Sequence, residues 1–152
     1  MPEKETLERA RKDKREGKSA STQAGEFVHE EIEHIREGKH GARSTKQAIA
    51  IGLAKARRAG VDLPPSETAS AETKKQANRD RRKGAKRAAS KKSGKSRKRS
   101  RATLSALKRE GRSAATKRAL SRQARSAAKK RSSKSRSRSA KKAAATRRRN
   151  AD

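Results

Sequence analysis

Two histidines and three glutamates crowd six positions, HEEIEH at 29–34. Imidazole and carboxylate are both metal ligands and both proton carriers. A helix-borne zinc site of the H-E-x-x-H kind needs its two histidines at i and i+4, on one face. Here His29 and His34 are five positions apart, which on a helix sets them roughly 140° apart. Position i+4 is Glu33 instead. The spacing allows i,i+4 pairs, His29 with Glu33 and Glu30 with His34. It predicts a solvated polar face, with no metal site. The third histidine, His40, sits in the basic loop GKHGAR at 38–43 and reads as a spacer that can approach a phosphate. The glycines before the next helix lack the G-x-x-x-x-G-K-[ST] pattern and the strand that precedes it in a phosphate loop. Serines are abundant, but no base or acid is spaced to activate one. The expectation is a protein that is not an enzyme and has no cofactor.

The stronger chemical signal is charge. The 152 residues include 47 Lys and Arg against 16 Asp and Glu, a net charge of +31. Residues 1–64 hold 14 basic and 11 acidic side chains, whereas residues 65–152 hold 33 and 5. A field this one-sided needs a polyanion as partner, and lysine and arginine bind phosphates by releasing condensed counterions. The candidate nucleic-acid contacts form clusters along 65–152. The first is Arg79, Arg81, Arg82, Lys83, Lys86 and Arg87. The second is Lys91, Lys92, Lys95, Arg97, Lys98, Arg99 and Arg101. The third is Lys117 and Arg118, then Lys129, Lys130 and Arg131. The last is Lys141, Lys142, Arg147, Arg148 and Arg149. Duplex DNA carries one charge per roughly 1.7 Å, so 33 cations match about 55 Å of duplex. The only aromatic residue is Phe27. Stacking platforms for single strands are therefore missing from the basic half.

These residues need elements to carry them. The composition predicts a mostly α fold in two parts, a helical head over 1–64 and a long basic tail over 65–152. In the head, helices are expected at about 2–16, 22–37 and 45–59. Gly17, Gly38 and Gly60 serve as stops, Ser21 or Thr22 as one cap, and Ser44 with Gln47 as a capping box. Ala24, Phe27, Val28, Ile32 and Ile35 share one face of the second helix, and the six-residue loop 38–43 predicts an antiparallel pair with the third. Read as a helix-turn-helix, that pair has a loop longer than the usual three or four residues.

The tail carries only Leu104, Leu107 and Leu120 as large apolar residues. Like charges repel, so disorder in the free state is expected, with helix forming over 102–109 and 113–130 on phosphate and 131–139 staying extended. Fully extended, the 88 tail residues would reach about 300 Å. An internal echo links the halves. KREGKSAST at 14–22 returns as KREGRSAAT at 108–116, with a relative, REGKHGARST, at 36–45. Each reads first as helix stop, basic link and restart, a reading compatible with a loop whose free amides meet phosphate.

KKAAATRRR at 141–149 and RSAAKKR at 125–131 resemble the arms of linker histones and bacterial histone-like proteins. The stretch 27–64, with its His-Glu helix followed by KQAIAIGL-x-x-AR-x-AG, resembles a family of small basic bacterial proteins of uncharacterised function. That resemblance implies a bacterial, cytoplasmic protein described as DNA-binding, and it supplies no catalytic residues. The combined expectation is a nucleoid-associated, histone-like protein that binds and bridges DNA without sequence preference, with a head that self-associates and no membrane partner. The competing readings are an RNA- or ribosome-associated protein, and an interaction head with a basic localisation arm.

Overall fold

Serines that start two helices and glycines that stop three divide the first 60 residues of the chain. In the computed structural model, which describes residues 2–89 and 97–149, three helices occupy this stretch: α1 (Lys4–Arg15), α2 (Ala20–Arg36) and α3 (Thr45–Arg58). Gly17, Gly38 and Gly60 follow them with positive φ of 69°, 78° and 100°, the left-handed turn that ends a helix cheaply at glycine. The Ser19 hydroxyl, rather than that of Ser21 or Thr22, caps α2, accepting the Thr22 amide at 3.3 Å. Ser44 caps α3, accepting from Gln47 N at 3.2 Å. The Gln47 carbonyl accepts in return from the amide of Arg43 at 2.9 Å, one residue before the expected closure of the box.

The core lies where α1, α2 and α3 meet. Phe27 fills its centre at 1% exposure, among Ala10, Ala24, Ala56 and Val61, with Leu7, Ala20, Leu53 and Leu63 packed around them. Small residues bring α2 and α3 close. A β-carbon at Gly52 would stand 2.7 Å from the Val28 Cα, too near for any side chain.

The basic half departs from expectation. In place of disorder, its described residues form helices: α4 (Ala71–Ala89), α5 (Arg97–Lys108), a 3₁₀ turn (Ser113–Ala115), α6 (Lys117–Lys129) and α7 (Ser133–Arg149). Two physical causes offset the repulsion. Alanine, lysine and arginine are intrinsically good helix formers. Part of the segment also has somewhere to pack. The helix α4 lies against α3 through Ala77, Asp80 and Gly84, which recur on one face and are all buried. Asp80, 1% exposed, accepts from Arg58 Nε at 2.8 Å and from Gln76 Nε2 at 3.3 Å. At Gly84 a β-carbon would overlap the Arg57 carbonyl, so the approach depends on the missing side chain. The stretch 131–139, expected to be extended, enters α7 because Ser132 caps it, its hydroxyl accepting the Ser135 amide at 3.2 Å. A tail reach near 300 Å no longer applies, since at 1.5 Å per residue α6 is about 20 Å long and α7 about 26 Å.

The chain divides into two compact units, Met1–Thr116 and Lys117–Asp152. Within the first, the echoed segments meet. The Gly41 amide donates to Leu107 O at 2.9 Å and the Ala42 amide to Gly111 O at 3.1 Å. Thr45 Oγ1 donates to Ala114 O at 2.7 Å, and Arg36 Nε to Ala115 O at 3.1 Å. Ala114 and Ala115 are buried. The loop amides expected to face phosphate thus hold the chain's own backbone instead. Among the described residues there is no strand, and no helix is long and apolar enough to cross a membrane.

Candidate nucleic-acid interface and a buried histidine cluster

Docking of α4 through Ala77, Asp80 and Gly84 decides where its cations go. Arg79, Arg82, Lys83 and Lys86 fall on the opposite face and are exposed. Arg81 is half-buried and paired with the Asp62 carboxylate, so it is not a free contact. Arg87 lies near the end of α4, and Arg97, Lys98 and Arg99 open α5. Arg101 follows on α5 and is exposed. Lys91, Lys92 and Lys95 lie outside the described residues.

In the second unit, Lys117, Arg118 and Lys129 on α6, Lys130 and Arg131 after it, and Lys141, Lys142, Arg147 and Arg148 on α7 are all exposed. Arg149 is the last residue of α7. Helical spacing adds two cations that cluster reading passed over. Arg118, Arg122, Arg125 and Lys129 fall at i, i+4, i+7 and i+11, a stripe about 17 Å long on one side of α6. Leu120 and Ala127 take the other side and are partly covered. Neither α6 nor α7 contains an acidic residue. Like charges one turn apart repel, so the stripe favours any anionic surface that meets it.

The HEEIEH segment is not the solvated face its spacing suggested. His29 does diverge from His34, remaining 67% exposed beside Glu33. Glu30, Glu31, His34 and His40, by contrast, have side chains no more than 12% exposed. They converge because the α2–α3 loop folds His40 back over α2, and because α3 supplies Lys55. Lys55 Nζ lies 2.6 Å from Glu31 Oε2 and donates to Glu30 Oε1 at 3.3 Å. His40 Nε2 stands 3.4 Å from Glu31 Oε1, and its Nδ1 stands 3.1 Å from Gly41 O. Glu30 Oε2 accepts the Glu3 amide at 3.1 Å, and the Glu3 carboxylate reaches His34 Nε2 at 2.9 Å and Lys39 Nζ at 3.1 Å. Hydrogen bonds from His34 and then Lys39 hold the Glu3 carboxyl below the usual carboxylate range.

The cluster has a ligand geometry of its own. One donor atom each from Glu31, His34 and His40 lies within 4.8 Å of the others. Sequence reasoning missed the set because it compared His29 with His34 along one helix. The legible part was Glu31 and His34 at i and i+3; the third member comes from the loop.

No curated protein and no solved structure matches the chain. Residues 6–67 match the profile of a family of unknown function (DUF6496), a span that takes in α1 from its third residue, all of α2 and α3 and the buried cluster except Glu3, and leaves α4 to α7 outside.

Proposed function

We propose that this protein binds duplex DNA without sequence preference and neutralises and bridges it, as a histone-like component of a bacterial nucleoid. The observation that carries this reading is that α6 and α7 hold 13 Lys and Arg and no Asp or Glu. Such a surface binds phosphate through counterion release and reads no bases. Each unit has its own cationic face, on α4 in the first and on α6 and α7 in the second, which supports engagement of two duplex segments by one chain. Duplex is favoured over single-stranded RNA because the cationic helices contain no aromatic residue on which an unpaired base could stack.

Salt-dependent titration of the full chain against labelled duplexes of unrelated sequence tests the reading. Affinities should agree within a few-fold between sequences, and log K should fall with log salt with a slope steeper than about −5. Tighter binding to single-stranded RNA of equal length would move the protein to the RNA reading. A slope near zero would remove the electrostatic basis altogether.

A further inference from the structure

The geometry points to a divalent transition-metal site, of the kind that takes Zn²⁺, formed by Glu31, His34 and His40. Two imidazoles and one carboxylate form a common protein donor set for this ion, with water completing the tetrahedron.

Four observations support the assignment. First, the donors are already gathered. Metal–ligand bonds of about 2.0–2.2 Å put tetrahedral donors roughly 3.4 Å apart. His40 Nε2 and Glu31 Oε1 stand at 3.4 Å, and all three donors lie within 4.8 Å. Second, the Glu31 carboxylate is fully buried, and neither oxygen has a hydrogen-bond partner in acceptable geometry. A buried carboxylate in that condition is costly unless a cation meets it. Lys55 pairs with Oε2, which leaves Oε1 to the histidine side.

Third, the surroundings orient the ligands. His40 Nδ1 faces the Gly41 carbonyl at 3.1 Å. A carbonyl only accepts, so Nδ1 carries a proton in that contact, and Nε2 is the ring atom that faces Glu31. The Glu3 carboxylate on His34 Nε2 would play the same part behind a metal held at Nδ1, setting the ring. Fourth, the set borders open space at His40. His40 also lines an open hollow of about 440 Å³ shared with Gly38, Gly41, Gly111 and Arg112.

The ion would pin the loop of residues 38–43 to α2. That loop carries the amides that hold Leu107 and Gly111, so the metal stiffens the seam on which segment 107–115 rests. The inference is independent of the DNA reading.

The test uses the metal-stripped full chain, without nucleic acid. Calorimetric titration with Zn²⁺ should give one ion per chain, and Co²⁺ should give the intense visible bands of a tetrahedral site. His40→Ala should weaken binding by more than about 100-fold, while His29→Ala should leave it unchanged. Because His40→Ala can perturb the loop, the wild-type chain supplies a second readout. Zn²⁺ should shift the imidazole NMR signals of His34 and His40 and leave those of His29 in place. No saturable binding, or a perturbation of His29 equal to that of His34 and His40, would overturn the assignment.

Discussion

Deleting residues 117–152 should lower affinity for duplex DNA at about 150 mM salt by at least about 100-fold, and should leave Met1–Thr116 folded. The deletion removes 15 basic residues and one acidic residue, and the remaining chain keeps a net charge of +17. If a third to two-thirds of those cations neutralise phosphates, the slope of log K on log salt should flatten by about 5–9. The position of the cut matters. A cut at Pro64–Pro65, which the charge distribution alone recommends, would strip α4 from α3 and remove the buried Ala77, Ala114 and Ala115. Lost binding would then be confounded with a damaged head. A cut after Thr116 follows the boundary between the compact units and keeps the bonds from Thr45 and Arg36 to Ala114 and Ala115. A truncated chain that bound with full affinity and an unchanged slope would show that α6 and α7 are not the DNA-binding elements.

Phe27→Ala should cost about 3–5 kcal/mol of folding stability, the usual range for emptying an aromatic site in a core. Phe27 is the only aromatic side chain in the protein, and most of its buried neighbours are alanines, Ala10, Ala24 and Ala56. Alanines have no flexible side chain to swing into the void. Small domains are stable by about 5–15 kcal/mol, so this loss is a large share of the total. Hydrogen exchange of peptides from α2 and α3 reads the effect locally, apart from the helical signal of α6 and α7. Those amides should lose most of their protection in Phe27→Ala. In Leu104→Ala, which alters a side chain 45% exposed, they should keep it. Equal protection in both variants would place the stabilising core elsewhere.

The three N-terminal helices were legible because their signals are local. Ser44 and Gln47 cap, Gly17, Gly38 and Gly60 stop, and Phe27, Ile32 and Ile35 fall on one face. The docking of α4 was not legible, because it turns on one acidic residue among arginines and on two small residues two turns apart. A charge argument averages Asp80 into its basic neighbours, whereas the structure buries it against Arg58. The buried cluster escaped for a related reason. His34, His40 and Lys55 lie on α2, a loop and α3, and no periodicity within one helix relates them. The echo at 36–45 and 108–116 was visible as a stop-and-restart signal, but that the Gly41 and Ala42 amides of one copy would donate to backbone carbonyls at Leu107 and Gly111 is a tertiary fact. The candidate interface was more nearly legible. Its composition was plain, and only the stripe through Arg122 and Arg125 needed the helix to be seen.

The claim that the partner is duplex DNA is tested most directly by crosslinking the protein to nucleic acid in its native cell and identifying the bound polymer. The account predicts adducts destroyed by DNase and resistant to RNase, with recovered fragments that share no sequence motif. Adducts destroyed by RNase alone, or fragments converging on one recurrent sequence, would contradict it.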